Sequence, residues 1–316
     1  MTELDHNDCL SEFKDLLQRD VAVPVCAMKT LVSVIKKSKG TTWMQLEQEL
    51  RSAISELKEC SSEDLMGKTK ISLGSGCDLF MKYVTRSFLE YTEFEVCKNE
   101  LIRRGESFAG MSESSRASIS HIGHSFIQDG YTVLTHGNSR VVMALLLKAA
   151  EKTQFNIIVT EAGSNGDGHQ AAAVYSAAGI PTSLVADCAV GIAMEGTDLC
   201  IVGAEGVMEN GGVVNKAGTF QVAMIAKTMK KPFYVAVESY KFSRMYPLSQ
   251  KDATDLSDTG SKATCFDFTV GEQSAPITAH VPVIDFTPAE YITLLFTDLG
   301  VLTPAAVSDE LIRLYQ

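Results

Sequence analysis

Glycine is distributed too unevenly along this chain for one architecture to account for it. Only Gly40, Gly67, Gly74 and Gly76 of its 23 glycines fall in the first hundred residues, and the other nineteen come later. A glycine inside a helix costs about 1 kcal/mol relative to alanine, so a glycine-poor stretch can carry long helices. A glycine-rich stretch suits tight turns at strand ends. The change of regime predicts two parts, residues 1–125 as a helical bundle and 126–316 as something turn-rich. Apolar residues in the first part recur at helical spacing: Met28, Leu31, Val32 and Ile35, then Trp43, Leu46, Leu50, Ile54 and Leu57, then Phe80, Tyr83, Val84, Phe88 and Tyr91. These stripes read as core rather than a cofactor box. Thr42 and Gln45 predict a capping box opening a helix, after Gly40 has ended the one before.

Beyond residue 125, short β-branched runs alternate with helical stretches. Strands are expected at 131–135, 156–161, 182–186, 198–203 and 233–238, with helices at 140–151, 169–179 and 220–230. Runs apolar on both faces, separated by helices, imply βαβ units in a parallel sheet covered on two sides, a Rossmann-like α/β domain. The polar, aperiodic segment 251–274 reads as an exposed loop, followed by a last apolar run at 281–286 and a closing helix at 305–315.

The 316 residues, with 28 Lys and Arg against 39 Asp and Glu, carry a net charge of −11. Such a balance argues against general attraction to nucleic acid or anionic membrane. No apolar run approaches the length of a membrane span, and the acidic, polar start MTELDHNDCL is unlike a targeting presequence, so a soluble cytoplasmic protein is expected. The eight cysteines form no Cys-x-x-Cys, and most of them read as buried thiols in a reducing compartment. His121 and His124 share a helical face without the glutamate of a hydrolytic zinc helix, and no metal site is expected there.

Ligands of an open parallel sheet bind beyond the carboxyl ends of its strands. Unusual polar residues gather at those ends here: His136-Gly137-Asn138-Ser139-Arg140, the run from Glu161 to Gly168, Gly203-Ala204-Glu205-Gly206, Asn215-Lys216, and Glu238-Ser239-Tyr240. Four strand ends are thus expected to face one crevice. No Gly-x-Gly-x-x-Gly follows the first strand, which argues against a nicotinamide cofactor. Asn138, Ser139 and Arg140 serve equally as an ordinary helix cap or as an anion site. Lys216, beside Asn215 and just ahead of a helix, is the most phosphate-like arrangement in the chain.

At these residues the sequence resembles a known family. LTHGNSRVV (134–142), VGAEGVMENGGVVNKAGT (202–219), KPFYVAVESYKF (231–242) and IDFTPAEYITLLFTDLGVLTPAAVSDELI (284–312) are similar to the alpha, beta and delta subunits of eukaryotic translation initiation factor 2B. SLGSGCDLFMKYVTRSFLEY (72–91) fits that family's helical part, and the tail resembles its alpha branch rather than beta or delta. The same superfamily contains isomerases of methylthioribose 1-phosphate and ribose 1,5-bisphosphate. Their catalytic cysteine stands in Thr-His-Cys-Asn and their aspartate in Gly-Ala-Asp, places taken here by Gly137 and Glu205.

What the resemblance implies is a regulatory subunit without catalysis. It implies a homodimer joined to beta, gamma, delta and epsilon subunits in a decameric guanine nucleotide exchange factor that senses the phosphorylated alpha subunit of initiation factor 2. The sensing surface is expected in the helical part, around Gly40, Thr41 and Thr42. The binding half of the isomerase site remains in His136, Asn138, Ser139, Arg140, Glu205, Asn215 and Lys216, so a bound but unconverted sugar phosphate is expected, with no other cofactor. Glu205 equally reads as a carboxylate satisfied by backbone amides. The competing reading is an active sugar-phosphate isomerase whose acid and base have moved to Cys188, beside Asp187, and Glu205.

Overall fold

The computed structural model describes residues 6–19, 21–60, 70–163, 166–252, 263–266, 277–280 and 282–315. Five helices come first: α1 (His6–Gln18), α2 (Val23–Lys37), α3 (Trp43–Glu59), α4 (Lys70–Glu90) and α5 (Phe94–Gly123). Their apolar stripes meet in one core in which Met28, Leu31, Ile35, Leu46, Leu50, Leu57, Phe80 and Val84 are fully buried. Gly76 lets α4 lie directly on α2, because a Cβ there would stand 2.7 Å from Pro24 Cα. Thr42 caps α3 by accepting from the Gln45 amide at 3.3 Å. In return the Thr41 amide donates to Gln45 Oε1 at 3.0 Å, one residue earlier than a capping box would place it. Gly40 does not end α2. That helix stops at Lys37 on an extended Ser38, and Gly40 has no left-handed φ.

The α/β part follows in the order β1 (Thr132–His136), α6 (Arg140–Ala150), β2 (Asn156–Thr160), α7 (Asp167–Ala177), β3 (Thr182–Val185), α8 (Val190–Glu195), β4 (Leu199–Val202), β5 (Gly206–Met208), β6 (Val213–Lys216), α9 (Thr219–Thr228), β7 (Phe233–Ala236), β8 (Phe242–Ser243), β9 (Ala263–Phe266), β10 (Ile277–His280), β11 (Ile284–Thr287), β12 (Leu294–Thr297), β13 (Gly300–Leu302) and α10 (Val307–Tyr315). The main sheet has the order β13-β12-β7-β4-β1-β2-β3 and is parallel except for β13. Successive residues feed opposite faces. Val133 and Ile201 join α5, α6 and α7 in one buried cluster, while Leu134, Cys200 and Val202 join α8, α9 and α10 in another.

The chain runs outward from β1 through β2 to β3, then returns to build β4, β7 and β12 on the other side. The order reverses between β1 and β4, and a crevice opens there past the strand ends. A second, four-stranded sheet, β11-β6-β5-β8, stands beside that opening. The sequence does not announce this sheet, since its strands have two to four residues. Nor does 251–274 behave wholly as a loop: Ala263–Phe266 pairs antiparallel with Ile277–His280, and the flanking residues lie outside the described ones. Of the run expected at 281–286, Val281 lies outside the described residues and the strand is Ile284–Thr287; the closing helix starts at Val307 after a 3-10 turn over Pro304–Ala306.

Candidate functional site

The crevice is a cavity of about 600 Å³. His136, Gly137, Asn138, Ser139, Arg140, Glu205, Asn215, Lys216 and Glu238 all line it, so the four strand ends do converge. Asp167, Gln170 and Lys241 join them, and Ala22, Val23, Pro24 and Ser72 close it from the helical part. Gly40, Thr41 and Thr42 lie apart from the cavity, at the entry to α3, with both threonines exposed.

The elements hold these groups for identifiable reasons. Ser139 is the N-cap of α6, accepting from the Val142 amide at 3.4 Å, which aims the first turn and Arg140 at the cavity. Gly203 is required opposite it, because a Cβ there would meet Ser139 Oγ at 2.4 Å. Asn138 reaches Gln170 at 3.5 Å, the limit of a hydrogen bond. Asn215 donates to Thr219 Oγ1 at 3.1 Å, and Thr219 donates back to the Lys216 carbonyl at 2.6 Å, which fixes the turn from β6 into α9. Strand β11 completes that turn: Asp285 Oδ2 accepts from the Gly218 and Phe220 amides at 2.7 and 3.0 Å.

His136 has a different part from the one its position suggests. Its Nε2 is 2.9 Å from the Ala217 carbonyl, which can only accept, so Nε2 carries the proton. Nδ1 therefore accepts from the Thr160 hydroxyl at 2.6 Å. Burial lowers the ring's pKa, outweighing the Ala217 carbonyl and Asp187, and the neutral form is kept. Both nitrogens are committed to the protein. The ring is a strut under the Gly218 turn, where a Cβ would stand 2.6 Å from its Cε1.

Two of the cavity's lysines are paired with carboxylates. Lys216 forms an ion pair with Asp167 of α7 across the cavity. Lys241 lies 3.0 Å from Glu238 Oε2 and donates to the Ala204 carbonyl at 2.9 Å. Burial presses the Glu238 carboxyl upward, but Lys241 and the Tyr240 hydroxyl, 2.9 Å from Oε1, hold it below its ordinary value. Among the described residues no backbone amide donates to the Glu205 carboxylate; the residue is held through its own N–H, which donates to the Val214 carbonyl at 2.9 Å. Cys188 is exposed, and Asp187 is taken up by the Ala162 and Gly163 amides at 3.0 and 2.8 Å. Neither lines the cavity. His121 and His124 lie 5.8 Å apart, and His124 Nδ1 is 3.2 Å from the Ser120 carbonyl. Among the described residues five cysteines are buried, and burial pushes the Cys77 and Cys200 thiols up to about 12. No described helix is long and apolar enough to cross a membrane.

A parallel sheet with its crevice at the strand-order reversal, walled on one side by a helical bundle, defines a class of α/β proteins with a polar cavity beyond the strand ends. The chain belongs to the initiation factor 2 subunit family, whose model matches residues 18–304. It is 43% identical over 98% of its length to a translation initiation factor eIF2B subunit alpha of Dictyostelium discoideum, covering 98% of that protein. It is 31% identical over 75% of its length to a ribose 1,5-bisphosphate isomerase of Archaeoglobus fulgidus, covering 72% of that protein. A chain in a tetrameric eIF2B beta–delta complex from C. thermophilum shares the fold, with a TM-score of 0.77 at 19% identity over 98% of this chain and 94% of that one.

The sequence missed Asp167, Gln170 and Lys241. Asp167 and Gln170 sit in or just after a glycine-rich strand end whose sequence shows no partner for either. Lys241 follows Tyr240 and betrays itself only by its distance to Glu238.

Proposed function

We propose that this chain is a non-catalytic regulatory subunit of the guanine nucleotide exchange factor for translation initiation factor 2. The similarity to an eIF2B alpha subunit along nearly the whole chain carries this reading. On it, the chain works in the cytosol as a homodimer that bridges beta, gamma, delta and epsilon subunits and senses the phosphorylated alpha subunit of initiation factor 2 around Thr41 and Thr42. The net charge of −11 suits docking on basic protein surfaces. Native mass spectrometry of the chain purified from its own cells is the test. A dimer mass with exchange-factor subunits attached is expected, and a chain that carries none of them overturns the reading.

The similarity to a ribose 1,5-bisphosphate isomerase favours a second reading, an active enzyme. By resemblance the isomerases' cysteine falls on Gly137, which has no proton to give, and their aspartate on Glu205, whose carboxylate is carried about 1 Å further from the backbone. A misplacement of that order costs about 10²-fold in rate. No turnover of ribose 1,5-bisphosphate or methylthioribose 1-phosphate is expected; turnover by the unaltered chain overthrows the regulatory reading. What the cavity keeps is binding, and a sugar phosphate held there stabilises the fold by mass action. A thermal shift with millimolar hexose phosphates is expected and Lys216→Glu abolishes it; no shift in the unaltered protein overturns the pocket assignment.

A further inference from the structure

We propose that Asp167 is a specificity-determining residue of the cavity, an internal anion on Lys216 that a doubly charged phosphate displaces and a singly charged sugar acid does not. The proposal rests on the sugar-phosphate reading above and says how that site chooses.

The cavity is lined by three cations, Arg140, Lys216 and Lys241, and three carboxylates, Asp167, Glu205 and Glu238. Formally balanced, it gives a phosphate no net attraction unless one carboxylate gives up its partner. Glu238 cannot, because it is buried at 3% exposure with Lys241 and Tyr240 bound to it. Asp167 can. Its side chain keeps 26% of its exposure and Lys216 keeps 28%, so water and ligand reach both. It is also the first residue of α7, where a carboxylate is favoured by the helix N-terminus whether or not it holds Lys216. Swung away from Lys216, Asp167 keeps that second source of stabilisation, and its release costs little.

Charge then sets the selection. At equal distance the attraction of a dianion for Lys216 is twice that of a carboxylate. A phosphate monoester loses its second proton near a pKa of about 6, so above neutrality it arrives as the stronger anion and wins the exchange. A sugar carboxylate meets Asp167 as an equal and gains nothing by replacing it. A neutral sugar leaves the pair intact.

Calorimetric titration of the full chain with glucose 6-phosphate and with gluconate at pH 7.5 tests this, using the unaltered protein, Asp167→Asn and Lys216→Met. Asparagine is well accepted at a helix start, and circular dichroism reports whether the variant keeps its helices. The unaltered protein is expected to bind glucose 6-phosphate and not gluconate. Asp167→Asn is expected to bind the phosphate more tightly, by up to about fivefold, the range for losing one competing ion pair, and to acquire gluconate binding. Lys216→Met removes both. Weaker phosphate binding by Asp167→Asn overturns the proposal and makes Asp167 a partner for ligand hydroxyls. Unchanged selectivity overturns it too, while leaving the pocket assignment standing. If neither form binds any sugar phosphate, the pocket assignment falls with it.

Discussion

Asp285 concentrates several demands in one side chain. Its Oδ2 caps α9 through two amides, while Oδ1 is buried with no hydrogen-bond partner among the described residues. Burial, opposed by the Phe220 and Gly218 amides, pushes its carboxyl up to about 7 from 3.8. A folded value above the unfolded one means the protonated form is the better guest. Its contribution to stability is complete below the unfolded value and is lost as pH rises through the window up to about 7. Asp285→Asn retains an oxygen acceptor and no longer ionises, so unfolding curves from pH 4 to 8 are expected to lose that decline. Asp285→Ala removes the cap and costs about 1 kcal/mol even at pH 5. A decline unchanged in Asp285→Asn assigns it to another group. None of this was legible in the sequence. Asp285 reads there as one polar residue in an apolar run, and its role depends on a register that sets it opposite Asn215. His136 shows the same limit: its place in the cavity was legible, but its partners Thr160 and Ala217 come from other segments.

At the scale of elements, what the sequence disclosed follows the strength of local signals. Helices with stripes of four or five apolar residues, and strands apolar on both faces, were readable because burial imposes the period directly. Strands β5, β6, β8 and β11 are two to four residues long, too short for a period to show, and exist by pairing with one another. The start of α3 lies between these cases. Thr42 and Gln45 announce the cap, and the chain uses them with the return bond shifted to Thr41. Thr42→Ala is expected to cost about 1 kcal/mol and Thr42→Ser far less, read as the midpoint of urea unfolding. The exposed threonines also form the proposed sensing surface, so the pair of variants separates the two roles. If Thr42→Ser folds normally but loses capture of phosphorylated initiation factor 2, the methyl or its geometry acts in recognition beyond the cap. Equal destabilisation by both variants would mean the hydroxyl does not cap α3.

The whole molecule depends on the scarce glycines of its helical part, and α4 separates their two uses. Gly74 and Gly76 are both buried, two residues apart in one helix. A Cβ at position 74 meets nothing within 4 Å, whereas at position 76 it meets Pro24 Cα at 2.7 Å, Cβ at 2.8 Å and the carbonyl oxygen at 3.0 Å. Those are backbone and ring atoms that cannot swing aside. Gly74→Ala is therefore expected to stabilise the chain by roughly 0.5–1 kcal/mol through helix propensity. Gly76→Ala is expected to destabilise it by about 1–3 kcal/mol, because α4 must move off α2. Pro24 also lines the cavity, together with Ala22, Val23 and Ser72, so this displacement reaches the ligand wall from outside the α/β part. Thermal unfolding with and without a hexose phosphate reads both consequences. Gly76→Ala should lower the midpoint and shrink the ligand-induced shift, and Gly74→Ala should raise the midpoint and leave the shift intact. If Gly76→Ala lowers the midpoint with an undiminished shift, the helical part encloses the cavity without shaping it, and the two halves are coupled by packing alone.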